Sequence, residues 1–171
     1  MGYTLADMDD GAQIEVLLPE LKAYATSVCR DPNESDDLVQ DAVVRFIRSE
    51  KKPTDLGDIR PWMFRAIRNL FYDDLRKRKV RKRHREIVQH EAGPSNHQSS
   101  QHIKIAFDKL SPDMREILFL VDIAEFKYTE IADILNVPVG TVMSRVSRSR
   151  KCLLILVRSI EAEDANFVYM S

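Results

Sequence analysis

The chain has 171 residues, of which 44% are hydrophobic and 31% are charged, and it contains only five glycines. That length accommodates one domain or two small ones, and the composition favours a soluble helical protein over a turn-rich sheet protein. No run approaches the roughly 20 apolar residues of a membrane span, and the acidic start argues against a secretion signal.

The residue types most often found in reactive sites do not form a recognisable pattern. Cys29 and Cys152 lie far apart and outside any metal-ligand spacing, so we expect no disulfide and a cytoplasmic location. No glycine-rich phosphate loop or nucleophile motif is present. Four histidines near the middle of the chain lack Cys or acidic partners at ligand spacing: His84, His90, His97 and His102. We therefore expect no metal, no cofactor and no enzymatic activity.

The net charge of −1 conceals a strong segregation of charge along the chain. Eight of the ten residues from Arg76 to Arg85 are Lys or Arg, and the stretch from Gly140 to Ile160 contains no acid. The acids are concentrated elsewhere, near the start, in residues 31–41 and in residues 161–164. Two basic patches on an otherwise acidic chain indicate two contacts with a polyanion and leave acidic faces for another partner.

The first helices are predicted from apolar residues at helical spacing. Residues 14–28 form one such stripe, interrupted by Pro19, and the break at 31–35 offers Asn33 or Ser35 as the cap of a second helix. The second helix is predicted to bury Leu38, Val39, Ala42, Val43, Phe46 and Ile47. Its opposite face presents Asp37, Gln40, Asp41, Val44, Arg45 and Arg48.

A third helix is predicted to start near Pro61 and to continue into the basic run, after a loop over residues 51–58. Its buried side consists of Ile67, Leu70, Phe71 and Leu75, and we assign Trp62 and Phe64 to the core as well. Its other side carries Arg65, Arg68, Tyr72, Arg76, Lys79 and Arg83. Asp73 is expected to pair with a neighbouring arginine.

Small polar residues around Gly93-Pro94 predict a flexible linker over residues 84–101. This linker divides a first domain, residues 11–83, from a second domain, residues 102–160, and an acidic tail follows over residues 161–171. The fold class is therefore all-α, with two small helical domains. No internal repeat is visible.

The second domain is predicted to contain four helices. The first covers about 103–110, the second runs from about Met114 to Ala124 after Ser111-Pro112, and Thr129 caps a short third helix over residues 130–135. Asn136 tolerates the left-handed conformation of a tight turn, and the last helix runs from about 139 to 157. Its buried residues are expected to be Val142, Val146, Ser149 and Leu153. This order is a helix-turn-helix motif within a four-helix unit.

The last helix has the chemistry of a DNA recognition helix. A helix that enters the major groove needs small or hydrogen-bonding residues outward and apolar anchors inward. The outward set comprises Thr141, Met143, Ser144, Arg145, Ser147, Arg148 and Lys151. We also expect the backbone N–H groups at Gly140-Thr141 to be open to a phosphate.

Residues 130–150, EIADILNVPVGTVMSRVSRSR, resemble the domain of bacterial sigma factors that binds the promoter −35 element. Two departures from that pattern matter. Met143 stands where Lys or Arg is usual, which weakens one expected DNA contact and alters the expected base preference, and Asn136 stands where Gly is usual, which keeps the turn feasible. The resemblance implies binding of this domain to the β flap of RNA polymerase as well as to DNA.

Two segments of the first domain resemble the same family. Residues 36–46, DDLVQDAVVRF, are similar to the sigma helix that docks on the β′ clamp helices of core polymerase, which implies Asp37, Gln40 and Asp41 as contacts. The apolar Val44 beside these acids, on the same outer face, favours an interface and is added to the set. Residues 60–76, RPWMFRAIRNLFYDDLR, resemble the helix that reads and opens the −10 element. Its implied DNA contacts are Arg65, Asn69, Tyr72, Arg76 and Lys79, with a pocket for a flipped base in residues 51–59.

With these two domains alone, the chain resembles the extracytoplasmic-function (ECF) group of sigma-70 factors, directing core RNA polymerase to promoter DNA under the control of an anti-sigma factor. Two alternatives stay open: a sigma-mimic adaptor that sequesters an anti-sigma factor, and a helix-turn-helix regulator that acts without polymerase. The mimic would have lost its basic faces, and the regulator would not need the acidic helix.

The length of the linker makes a further prediction. The two promoter elements lie about 50–55 Å apart, and residues 86–101 span at most about 53–58 Å when fully extended. A flexible chain of that length averages only about 20–24 Å. We therefore expect the two domains to lie close together in the free protein and to separate on core polymerase.

Overall fold

The computed structural model describes residues 10–82 and 98–169, with side chains placed in 11–78 and 101–164. All regular elements within these ranges are helices. They are α1 (Asp10–Cys29), α2 (Pro32–Arg48), α3 (Leu56–Lys82), α4 (Gln98–Lys109), α5 (Pro112–Leu118), a π-helical turn (Phe119–Ile123), α6 (Tyr128–Leu135) and α7 (Val139–Tyr169). The predicted all-α fold is confirmed.

Helices α1, α2 and α3 pack against one another and form the first unit. Pro19 lies exposed inside α1 without ending it, since a proline on the outer face costs that turn only one backbone hydrogen bond. The cap of α2 is Asp31, not Asn33 or Ser35. Its Oδ1 accepts hydrogen bonds from the N–H groups of Asn33 (2.8 Å) and Glu34 (3.2 Å).

The predicted buried faces of α2 and α3 hold with one exception. Leu38, Val39, Ala42 and Phe46 are buried, but Ile47 is 62% exposed, so its assignment to the core was wrong. Helix α3 begins at Leu56, five residues before Pro61, because Asp55 accepts the first hydrogen bonds of the helix through its backbone carbonyl. Along α3, Met63, Phe64, Ile67 and Phe71 are buried, while Trp62, Leu70 and Leu75 pack partly buried against them.

Helices α4 to α7 form the second unit, in which α4, α5 and α6 each pack on α7. Helix α4 begins at Gln98, so residues 98–101 are helical and do not belong to the predicted linker. Residues 83–97 lie outside the described residues. Helix α7 continues to Tyr169, which makes residues 161–169 part of a helix and not a separate tail.

The short helices differ from their predicted bounds for local reasons. Helix α5 starts at Pro112, after Ser111, whose carbonyl accepts hydrogen bonds from Met114 and Arg115, and a π-helical turn replaces its predicted second half. Helix α6 starts at Tyr128 with Lys127 as its cap residue, so Thr129 is not the cap. The carboxylate of Glu130 accepts a 2.7 Å hydrogen bond from the Lys127 N–H and closes this end.

The two units share one hydrophobic core. Tyr24 of α1 has its ring centroid 4.6 Å from that of Phe64 and 5.5 Å from that of Phe119, which belongs to the second unit. Phe126 completes the cluster, with its ring 5.0 Å from Phe64. This close packing agrees with the compact arrangement that the short linker predicts for the free chain.

Candidate nucleic-acid interface

The turn between α6 and α7 fixes how α7 is presented. Asn136 adopts the left-handed conformation, with φ 53° and ψ 53°, as its side chain tolerates, and it allows Val137 to donate a 3.0 Å hydrogen bond to Ala132. The Pro138 carbonyl then accepts from Thr141 (2.8 Å) and Val142 (3.2 Å). The Thr141 N–H is therefore used within the turn, and the expectation that it is open to a phosphate was wrong.

Helix α7 has a buried side and an exposed basic side. Val142, Val146 and Ser149 are buried against the rest of the second unit, and Leu153 is half-buried. Five of the seven candidate −35 residues are exposed: Met143, Ser144, Ser147, Arg148 and Lys151. Thr141 and Arg145 are half-buried. The exposed set combines hydrogen-bonding, cationic and apolar side chains, the types that read base edges in the major groove.

The arginines of α7 are not equivalent. Arg148 is exposed, and its Nε donates a 3.4 Å hydrogen bond to the Ser144 carbonyl one turn earlier on the same helix. Arg150 instead forms an ion pair with Asp122 of the π-helical turn. The hydrogen bond and the charge of Asp122 raise the pKa of Arg150 above its ordinary value. Arg148 is thus the cation better placed for DNA.

The candidate −10 surface on α3 is partly accessible. Arg65, Asn69 and Arg76 are exposed, and Arg76 pairs with Asp73 at 2.7 Å, the partner type predicted for that aspartate. The backbone of Lys79 lies on α3, but its side chain is outside the described residues. The pocket for a flipped base was predicted in a loop over residues 51–59. Because Leu56 to Ile59 belong to α3, only residues 51–55 of that segment precede the helix.

Tyr72, the central candidate of that surface, is engaged by the second unit. Its hydroxyl donates toward Asp113 Oδ1 (2.6 Å) and Glu116 Oε2 (3.0 Å), both on α5. Burial, then the charge of Glu116, raises the pKa of Tyr72 well above its ordinary value. Arg68, its neighbour on α3, has its Nε 3.2 Å from Glu116 Oε1. Helix α5 therefore covers part of the predicted DNA surface.

A second candidate surface lies on the outer face of α2. Asp37, Gln40, Asp41 and Val44 are all exposed, with Val44 at 42%. Ile47, which the sequence analysis placed in the core, lies one turn beyond Val44. An acidic helix face with two uncovered apolar side chains has the composition of a protein-docking surface.

The residues that join the units were missed by sequence reasoning. Arg115 and Glu116 are each no more than 3% exposed, although charged side chains are almost never buried without partners. The available signal was their position: an Arg-Glu pair lies between Met114 and an uninterrupted apolar run from Ile117 to Val121. A helix that is apolar on every side is buried on every side.

Neither a metal centre nor a membrane-spanning helix is found in the part of the chain that the structure describes. No group of three or more His, Cys, Asp or Glu side chains within the described residues is arranged to hold a metal ion. In the same part of the chain, no helix combines the length and the apolar character that crossing a membrane requires.

Comparison with known proteins gives two family matches. The Sigma-70 region 2 model matches residues 13–81, and the Sigma-70, region 4 model matches residues 104–153. The chain is 33% identical over 152 residues to the ECF RNA polymerase sigma factor EcfG of Rhodopseudomonas palustris, covering 86% of this chain and 84% of that protein. It is 29% identical over 131 residues to the ECF sigma factor SigE of Mycolicibacterium smegmatis, covering 71% and 51%.

Solved structures agree with these matches. The sigma factor RpoE of Bartonella quintana, in complex with the anti-sigma factor NepR, superposes with a TM-score of 0.68 at 29% identity, covering 88% of this chain and 97% of that one. The PhyRSL–NepR complex from Sphingomonas sp. Fr1 gives 0.69 at 17% identity, covering 89% and 91%, which shows the shared fold alone. The chain therefore belongs to the sigma-70 family, and within it to the ECF group of sigma factors.

Proposed function

We propose that this ECF sigma factor binds core RNA polymerase through the outer face of α2, contacts the −10 element through α3 and reads the −35 element through α7. It supplies promoter recognition and is not itself an enzyme. The observation that carries the proposal is the coexistence, in one chain, of an exposed acidic α2 face and an exposed basic face of α7 that carries no acid between Gly140 and Ile160. Only a protein that bridges polymerase and DNA uses both.

The working units follow from the helix boundaries. We assign polymerase binding and −10 recognition to residues 11–83, and −35 recognition to a unit that begins at Gln98, four residues before the predicted boundary at His102. The site of action is the cytoplasm, where core polymerase and promoter DNA are found.

On α7, Arg148 and Lys151 supply cations, and Ser144 and Ser147 supply short hydrogen-bonding side chains. Met143 is 56% exposed among them. An apolar side chain in the major groove contacts the methyl group of thymine and forms no ion pair with a phosphate. We therefore assign Met143 a part in base preference, and not in the general electrostatic affinity for DNA.

We further propose that an anti-sigma factor controls the chain. The similarity to a sigma factor that was solved with NepR supports this assignment. The sigma-mimic alternative is less well supported, because a chain that only sequesters an anti-sigma factor has no use for an exposed Arg148 and Lys151. A helix-turn-helix regulator that acts without polymerase would not need the exposed acidic face of α2, so that alternative is also less well supported.

Run-off transcription with core polymerase and a genomic promoter library tests the proposal. We expect discrete transcripts that depend on the added chain, and sequence alignment of their start regions should give two conserved elements. A chain that binds DNA without core polymerase and starts no transcript would contradict the proposal. Binding to an anti-sigma factor without any transcript would favour the mimic.

A further inference from the structure

A single buried carboxylate lies at the centre of the contact between the two units. Glu116 of α5 is 2% exposed. Its Oε1 accepts a 2.8 Å hydrogen bond from the Tyr24 hydroxyl, and its Oε2 lies 3.0 Å from the Tyr72 hydroxyl. The guanidinium of Arg68 is 3.2 Å away and balances the charge. Every one of these three partners belongs to the first unit.

The preceding residue, Arg115, joins α5 to the end of α1. Its Nε donates a 2.6 Å hydrogen bond to the Ser27 carbonyl, and its Nη2 donates a 2.7 Å hydrogen bond to the Val28 carbonyl. The last carbonyls of a helix have no partner within the helix and carry partial negative charge. Arg115 therefore caps α1 from the other unit.

Around these polar groups the contact is apolar. The rings of Tyr24 and Phe64 meet those of Phe119 and Phe126, and the Arg60 guanidinium lies 4.0 Å from the Phe126 centroid. Arg60 also forms an ion pair with Glu20 and donates to the Ala124 carbonyl. The contact is thus ordered like a protein interior, with a defined set of polar partners.

Such a contact is specific and yet reversible. Burying charged groups forfeits their hydration, and the attraction between partners largely repays that loss, so the net stabilisation is small. If one partner is removed or reversed, the charge that remains buried is strongly destabilising. When the units separate, Glu116, Arg68 and Arg115 regain water. The polar groups therefore set the geometry of closure more than its strength.

We propose that Arg115 and Glu116, each through its own partners in the first unit, form an intramolecular latch that fixes the closed arrangement of the free chain and covers Arg68 and Tyr72 of the candidate −10 surface. The carboxylates of Asp113 and Glu116 contact the Tyr72 hydroxyl, and that of Glu116 also lies beside Arg68, so these two side chains of α3 are not open to a DNA strand in the closed chain. An open cleft of about 460 Å³ remains beside them, lined by Arg68, Tyr72, Leu75, Arg76 and residues 111–113. Core polymerase opens the latch when it holds the two units apart.

The claim that the free chain is closed rests on the contacts alone. The claim that closure masks a DNA-binding surface also rests on the proposed −10 role of α3. The test therefore has two separate readouts. Glu116→Lys places a second cation against Arg68, and Glu116→Gln keeps the shape of the side chain. Glu161→Lys makes the same charge change at an exposed position near the end of α7.

Small-angle X-ray scattering of the full chain measures its radius of gyration and so shows whether the two units are packed together. We expect the radius of gyration of Glu116→Lys to rise by several ångström, and those of Glu116→Gln and Glu161→Lys to match wild type. A helical Glu116→Lys chain with an unchanged radius would overturn the latch. Should that variant lose its helicity, the double variant Tyr24→Phe, Asp113→Asn deletes one hydrogen bond between the units and weakens another with little change of side-chain shape, and it should raise amide hydrogen exchange in α5 severalfold. Unchanged exchange would then overturn it.

The masking of the −10 surface is measured by the affinity of the chain for a fluorescent DNA single strand. This strand carries a −10 element taken from the run-off screen. Without core polymerase, Glu116→Lys should bind this strand severalfold more tightly than Glu161→Lys does. An open Glu116→Lys chain with no gain over Glu161→Lys would overturn masking. Transcription with core polymerase should be equal for wild type and Glu116→Lys. Absence of transcripts from both would contradict the proposed function, while scattering still decides closure.

Discussion

The hydroxyl of Tyr24 in α1 donates a 2.8 Å hydrogen bond to the carboxylate of Glu116 in α5, 92 residues later in the chain. Both side chains are buried, and they come from the two units that match separate family models. The bond therefore connects the unit that matches sigma-70 region 2 to the unit that matches region 4.

This bond should be measurable in the stability of the free chain. Tyr24→Phe keeps the ring but leaves a buried carboxylate with one donor fewer, so we expect a loss of about 1–3 kcal/mol in the free energy of unfolding. Urea denaturation measures it. Tyr128→Phe, the same change at a half-buried tyrosine of α6, should cost less than about 0.5 kcal/mol. Equal losses for the two variants would contradict the prediction that the Tyr24–Glu116 hydrogen bond contributes to the free energy of unfolding.

The pH dependence of stability should report Glu116. Burial raises the pKa of Glu116 above its ordinary value, against the charge of Arg68 and the hydrogen bonds from Tyr24 and Tyr72. The carboxyl keeps its proton to a higher pH when folded than when unfolded. Its contribution to stability is therefore full below the ordinary glutamate pKa and is lost as the pH rises through the raised value.

Glu116→Gln removes this titration and leaves every other group in place. The free energy of unfolding of the variant, minus that of wild type, should become more positive over the pH range above the ordinary glutamate pKa. Urea titrations across that range give the difference directly. A difference independent of pH would mean that burial does not perturb this carboxyl.

Two arginines two positions apart on α7 provide a matched test of −35 recognition. Arg148→Ala should weaken binding to the −35 element by about 1–3 kcal/mol, since an arginine that contacts a base edge contributes that much. Arg150→Ala should have little effect, because Arg150 is paired with Asp122. Fluorescence anisotropy with a duplex −35 site compares them, and similar losses for both would contradict the assigned orientation of α7.

The polymerase surface can be tested with two aspartates of α2. Asp41→Lys should lower the affinity for core polymerase severalfold, because it reverses the charge of an exposed residue on the docking face. Asp36→Lys is the control, since Asp36 pairs with Lys22 at 2.9 Å and so faces α1. Affinity measured with purified core enzyme, together with unchanged binding of both variants to −35 DNA, separates docking from DNA recognition.

Local patterns in the sequence predicted most of the helices and much of the candidate site. The buried stripe of α2 and the left-handed Asn136 depend on neighbours within a few residues, and both follow from spacing and side-chain chemistry. The cap of α2 and the exposure of Ile47 were missed because Asp31 competes with Asn33 and Ser35 for one role, and because periodicity alone does not fix the edge of a buried face.

The contact between the units could not be predicted in detail. The linker length indicated that the halves lie close together, but it carries no information about which faces meet. Glu116 and Tyr72 acquire their partners only when α5 is laid across α1 and α3, and no spacing rule relates residues so far apart. The one local sign of this contact in the sequence was the position of an Arg-Glu pair beside an apolar run.

The shared aromatic cluster also has a consequence for synthesis on the ribosome. The N-terminal half emerges first, and until α5 and α6 follow, the rings of Tyr24 and Phe64 have no cover from the C-terminal half. A nascent chain that ends between the two units exposes this aromatic surface, which is apolar and partly charged, as are the surfaces that chaperones bind. Synthesis of the second unit covers that surface, because Phe119 and Phe126 pack on Tyr24 and Phe64 only once both units are complete.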